Sequence, residues 1–141
     1  MSLDPEPFQP FRRATALVRE SGLVLVVDDE EGVRRVTQAA LERAGFTVLT
    51  AGDGREGVEV FRKHADEVVA VVLDLTMPVM GGAETLGELR TIRNTIRVVL
   101  SSGYTEEDAT TRLGGDSVTA FVQKPYRPAE LVAKIREALA A

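Results

Sequence analysis

Cysteine is absent from the 141 residues, which excludes a disulfide framework and any thiolate metal site. Histidine occurs once, at His64 within a helical stretch, so no imidazole is available in the strand-end loops. Positive charge is in deficit: 17 lysines and arginines against 22 acids leave a formal charge of −5. That is the wrong sign for non-specific nucleic-acid binding, which wants a basic face. No apolar run approaches the length of a membrane span, and no secretory signal pattern opens the chain. A cytoplasmic location is therefore expected, with neither nucleic acid nor membrane bound by this chain. What is present is ordinary for a globular domain, with 44% apolar and 28% charged residues. The length suits one domain plus a short extension.

Residues 1–21 read as a linker or N-terminal extension, with three prolines between Met1 and Pro10 and a short helix expected over Phe11 to Glu20. The domain itself is expected over residues 22–141. There, strand and helix patterns alternate five times. Strands are expected at Leu23 to Val27, Phe46 to Thr50, Val68 to Leu73, Arg97 to Ser101 and Val118 to Val122. The third is apolar throughout, as in a parallel sheet covered on both faces. The first helix carries Val33, Val36, Ala40, Leu41 and Ala44 at helical spacing, and Gly45 stops it. Arg55 to His64 and Ala83 to Ile92 follow as helices. Thr105 and Asp108 resemble a capping box for a fourth helix, which Gly114-Gly115 ends, and Pro128 opens the fifth. Five such units call for right-handed crossovers and an α/β, doubly wound, flavodoxin-like sheet in the order 2-1-3-4-5.

In that order the strand ends carry the chemistry. The first strand runs into Asp28-Asp29, the third ends on Asp74, the fourth leads to Ser102-Gly103, and the fifth reaches Lys124-Pro125. Ligands bind at the carboxyl edge of such sheets, beside the switch point between the first and third strands. Three carboxylates gathered there repel one another by about 4 kcal/mol per close pair at an effective dielectric near 20. They stay ionised together only beside a cation; otherwise one takes up a proton. With oxygen ligands alone, the ion expected is Mg²⁺, or Mn²⁺ in its place. A helix cap accounts for one of the acid pair but not for all three acids. Lys124 supplies a point charge and Ser102 a hydroxyl, so acids, metal, hydroxyl and lysine together make a site for a transferring phosphoryl group. Asp74 is its natural nucleophile, since a carboxylate can accept phosphate as an acyl phosphate.

From about Leu23 to Leu139 the sequence resembles the receiver domain of two-component response regulators. The resemblance rests on Asp28-Asp29, on Asp-x-x-Met-Pro-x-Met-x-Gly from Asp74, on Ser102-Gly103, and on Lys124-Pro125. It implies that Asp74 accepts phosphate from a histidine kinase or histidine phosphotransfer protein. Asp29 and Asp74 would hold Mg²⁺ directly with the backbone carbonyl of Thr76, Asp28 would act through water, and Ser102 and Lys124 would engage the phosphoryl group. Phe121 would be the switch aromatic, remodelling the surface of the fourth helix, fifth strand and fifth helix, where Arg112, Arg127 and Lys134 are expected and through which a homodimer could form. Phe121 stands where many members carry tyrosine, and Ser102 where threonine is commoner. His64 is expected on the surface, away from the site. The isolated chain would be a phosphoacceptor with at most self-dephosphorylation. The stretch Ser102 to Glu107 resembles receivers fused to hybrid sensor histidine kinases, so a fragment of such a kinase is expected, with a stand-alone regulator as the alternative. A Mg²⁺-dependent phosphatase of the haloacid dehalogenase type also uses a strand-end aspartate. That family wants a second acid two residues further on, where this chain has Thr76.

Overall fold

The computed structural model describes residues 22–114 and 117–141; the helix expected over Phe11 to Glu20 and the expected stop residue Gly115 lie outside them. Five strands, β1 (Gly22–Val27), β2 (Phe46–Ala51), β3 (Val68–Asp74), β4 (Val98–Ser102) and β5 (Ala120–Gln123), alternate with five helices. The helices are α1 (Glu31–Arg43), α2 (Gly54–Lys63), α3 (Gly82–Ile92), α4 (Glu106–Leu113) and α5 (Pro128–Ala140). All strand pairs are parallel, and the sheet order is β2-β1-β3-β4-β5. This is the doubly wound, flavodoxin-like α/β architecture that the alternating patterns predict.

Alternation along each strand divides the core into two layers. Leu25, Val27, Val71, Leu73 and Leu100 face α2, α3 and α4, and pack with Phe61, Leu86 and Leu89. Val24, Val26, Val72, Val99 and Val122 face α1 and α5, and pack with Leu41, Leu131 and Ile135. Each such side chain, once fully buried, contributes roughly 1.5–3 kcal/mol. In α1 the expected inward set needs one correction. Val36 is exposed, and the neighbouring Thr37 is buried instead. Its hydroxyl pairs with the Tyr126 hydroxyl at 2.6 Å, which ties α1 to the loop after β5. Apolar spacing alone does not register a hydroxyl that has a partner inside.

The caps explain where the helices begin and end. Asp53 accepts the amide of Glu56 at the start of α2, and Thr105 accepts that of Asp108 at the start of α4. Gly114 closes α4 in the left-handed conformation. Strand register then sets the upper edge. Val27 pairs with Leu73, Asp74 with Ser101, and Ser102 with Gln123, so the ends of β1, β3, β4 and β5 lie side by side.

The loop after β3 is drawn tight against α3. The Gly82 amide donates to the Leu75 carbonyl at 2.8 Å. A Cβ at Gly82 would lie 2.5 Å from Leu75 Cα and 2.7 Å from the Asp74 carbonyl oxygen. Within the same loop, Val79 has φ 68°, and the Met80 amide bonds the Pro78 carbonyl at 2.7 Å across it. A β-branched residue in this left-handed region is strained.

Two substitutions check this loop in urea unfolding. Val79→Gly is expected to stabilise the protein by about 1 kcal/mol, relief of strain outweighing the added freedom of the unfolded chain. Gly82→Ala is expected to destabilise it by about 1–3 kcal/mol, because backbone must move to admit the methyl group.

Candidate functional site

Three carboxylates meet at the edge where the register brings the strand ends together. Asp28, Asp29 and Asp74 each offer an oxygen within 4.8 Å of the others. Asp28 and Asp74 are almost fully buried, at 2% and 3% exposure, while Asp29 is exposed. Each buried acid is oriented by a backbone amide two residues further on. The Glu30 amide donates to Asp28 Oδ1 at 2.9 Å, and the Thr76 amide to Asp74 Oδ1 at 3.2 Å. The Asp28 amide itself bonds the Ala51 carbonyl, and the Leu75 amide bonds the Ser101 carbonyl. The sheet ladder therefore continues through the residues that carry or flank the acids.

Lys124 supplies the countercharge. Its ammonium lies 2.9 Å from Asp28 Oδ2, 3.1 Å from Glu30 Oε1 and 3.3 Å from Asp74 Oδ2. The Lys124 amide bonds the Ser102 carbonyl at 2.7 Å, which fixes where the side chain starts, and the following peptide bond to Pro125 is cis. Burial alone would lower the Lys124 pKa, but Asp28, Asp74 and Glu30 outweigh it and raise it. Asp74 shifts the other way from an ordinary acid. Burial and the charge of Asp28 push its pKa from 3.8 to about 7, against the opposing pull of Lys124 and the Thr76 amide. One lysine does not compensate this many acids.

The donor set fits a hard divalent cation. Oxygen atoms are the only ligands this cluster offers, and a cation beside Asp74 would oppose both the burial and the Asp28 charge that raise its pKa. Thr76 lies on the rim of a cavity of about 450 Å³ together with Asp29, Glu30, Asp74, Gly103, Tyr104 and Lys124.

Ser102 sits differently from a residue open to the cavity. It is fully buried, and its Oγ accepts the Tyr104 amide at 2.9 Å. The Tyr104 ring in turn lies under the Arg112 guanidinium, 3.9 Å from its centroid. Phe121 is half-buried on β5 and packs against the layer beneath α4. His64 bonds Glu67 at the far end of α2, remote from the acids in the chain and on no wall of the cavity.

Glu30 and Tyr104 line the cavity although the sequence does not single them out as site residues. A signal for Glu30 is legible afterwards: it is the third of four consecutive acids and faces a lysine 94 positions away. Nothing in the local pattern around Tyr104 distinguishes it from a loop residue. Ser101 is likewise unanticipated, with a hydroxyl that is buried beside Asp74 in the sheet register and has no hydrogen-bond partner.

Comparison with known proteins gives a consistent answer. The family model for the response regulator receiver domain matches residues 24–136. The sensor kinase CckA of Brucella abortus (strain 2308) is 36% identical over 119 residues, which is 84% of this chain and 13% of the kinase. The protein described as "Probable transcriptional regulator ycf27" of Pyropia yezoensis is 38% identical over 118 residues, which is 82% of this chain and 46% of that protein. This chain therefore spans less than half the length of either curated relative. Among solved structures, a receiver domain protein from Clostridium thermocellum superposes with a TM-score of 0.78 at 26% identity, covering 84% of this chain and 94% of that one. The CheX–CheY–BeF3–Mg complex from Borrelia burgdorferi gives 0.73 at 29% identity, covering 81% and 86%.

The electrostatics set a pH dependence. Without divalent cations, the folded chain keeps a proton on Asp74 between pH 4 and about 7, where the unfolded chain has lost it. Stability is therefore expected to fall as pH rises through that window, by roughly 2–4 kcal/mol relative to Asp74→Asn. Urea unfolding in EDTA across pH 4.5–8 checks this. Parallel curves for the two proteins would refute it, and added Mg²⁺ is expected to restore stability to the wild type alone at neutral pH.

Proposed function

This chain belongs to the response regulator receiver domain family and is a receiver domain of two-component signalling, and on that premise we propose that Asp74 is its phosphoacceptor. The donor is a phosphohistidine on a histidine kinase or histidine phosphotransfer protein. The nitrogen–phosphorus bond of the donor breaks as an Asp74 carboxylate oxygen bonds phosphorus, and the departing imidazole takes a proton from solvent. The observation that carries this reading is one buried lysine ammonium held between Asp28 and Asp74 at 2.9 and 3.3 Å. Such a charge is positioned within reach of the oxygens of a phosphoryl group at Asp74.

Asp28, Asp29, Asp74 and the backbone carbonyl of Thr76 would hold Mg²⁺, with Asp28 acting through water. The ion, when bound, neutralises charge on the phosphoryl oxygens. Lys124 donates to one of those oxygens, and Ser102 to another once its hydroxyl leaves the Tyr104 amide. That exchange is the start of the switch. The loop after β4 follows Ser102, Phe121 turns into the space, and the α4-β5-α5 face changes shape, shifting the population toward an active form. Arg112, Arg127 and Lys134 belong to that face in this reading, and a homodimer could use it.

In its wider setting, the domain over residues 22–141, preceded by a linker over 1–21, is proposed as the receiver of a cytoplasmic hybrid sensor kinase. The similarity to CckA supports this. The comparable identity to the ycf27 protein supports a stand-alone regulator as the second reading. A kinase core encoded in frame ahead of Met1 would favour the first, and its absence the second. Among the described residues no helix is long and apolar enough to cross a membrane.

Incubation with acetyl phosphate and Mg²⁺, followed by intact-mass measurement, tests the acceptor. One added phosphate is expected, absent in Asp74→Asn and lost in EDTA. Lys124→Ala is expected to slow the gain by roughly 10- to 100-fold, the value of a hydrogen bond to a charged group. Unchanged labelling of Asp74→Asn would refute the assignment, and continuous hydrolysis of many phosphate esters would point to a phosphatase.

A further inference from the structure

We propose that Glu30 is a positioning residue for Lys124, accepting a hydrogen bond from its ammonium in the resting domain and surrendering it when Asp74 receives a phosphoryl group. This rests on the reading of Asp74 as the acceptor.

An ammonium has three N–H donors and no more. In this structure three carboxylates surround it, Asp28 at 2.9 Å, Glu30 at 3.1 Å and Asp74 at 3.3 Å, and the contact with Glu30 has hydrogen-bond geometry. Lys124 is thus enclosed by carboxylates before any phosphoryl oxygen arrives, with one N–H committed to Glu30. To meet one it must release a partner, and the three partners are not equivalent. The Asp28 side chain is 3% exposed, so releasing it would strand a buried carboxylate, a loss of several kcal/mol. Asp74 is the reacting group itself. The Glu30 side chain is 60% exposed, and water replaces the lysine at the small cost of an exposed ion pair.

A second observation separates Glu30 from an ordinary helix-terminal acid. It occupies the N-cap position of α1, where serine, threonine, aspartate and asparagine are preferred, and its side chain makes no capping hydrogen bond. Its carboxylate reaches across to β5 instead. Glu30 also stands on the rim shared by the acid cavity and the groove between α1 and Tyr126, which it and Lys124 both line. An exposed, non-capping acid whose only side-chain partner among the described residues lies in the site is arranged as a tether on the lysine.

The contact slows phosphorylation, because breaking it is part of reaching the transition state. Glu30→Gln and Glu30→Asp separate the contact from the charge. The first removes the negative charge, whereas the second keeps it but is one methylene too short to reach Nζ. Each variant is phosphorylated by acetyl phosphate in saturating Mg²⁺ and followed by intact mass; the phosphoryl O–P bond of the donor breaks, acetate leaves, and an Asp74 oxygen takes the phosphorus. Both variants are expected to react about two- to fivefold faster than wild type, the range of an exposed ion pair. In a Lys124→Ala background, Glu30→Gln is expected to change nothing. Acceleration by Gln but not by Asp, or acceleration that persists without Lys124, would overturn the proposal by assigning the effect to the general field. Wild-type rates in both variants would overturn it as well. Failure of the wild type to take phosphate on Asp74 would instead overturn the acceptor reading. Unchanged thermal midpoints of the Glu30 variants exclude a loss of fold as the source of any rate change.

Discussion

A single ammonium, anchored at the end of β5, holds together two acids that arrive from β1 and β3 and would otherwise repel. Asp28 and Asp74 are buried, and neither can be left ionised and unpaired in that setting without a large desolvation penalty. Lys124 satisfies both at once, but it is one charge against at least three. Burial, and after it the charge of Asp28, raises the pKa of Asp74 to about 7 in spite of the lysine. The pocket is consequently built to a state of electrostatic incompleteness. A divalent cation held by the three aspartates would offset it.

The backbone supplies the precision that the charges require. Parallel register sets Asp74 beside Ser101 and Leu73 beside Val27, so the acids at 28 and 74 are neighbours by construction. Amides two residues downstream fix one oxygen of each carboxylate, leaving the other for the lysine. Beneath this edge, two tightly packed layers hold the strands in place, and close packing of that kind transmits small displacements rather than absorbing them. Ser102, Tyr104 and Arg112 form a chain of contacts that leads from the pocket edge to the surface of α4.

Much of this was legible in the sequence because the relevant signals are short-range. Apolar runs that end on Asp28, Asp74 and Lys124 reveal strands and the sheet edge together, and alternation with helical spacing yields the strand order. Gly114 announces the end of α4 by its backbone freedom, and Thr105 its start by a side-chain cap. Legibility stops where a residue's role depends on a partner far away in the chain. Thr37 reads as a polar interruption of a helix until Tyr126 is seen beside it. Glu30 reads as a solvated acid until Lys124 is found within 3.1 Å. Val79 carries no mark of its left-handed backbone, which is imposed by the tight turn around it.

The position of β2 at the sheet margin has an evolutionary corollary. The unit Phe46–Lys63 contributes no side chain to the wall of the acid cavity, although it completes one edge of the sheet and packs against β1. Selection on the chemistry therefore bears on the outward side chains of this segment only weakly. Substitutions on that outward face would leave the lining of the acid cavity as it is.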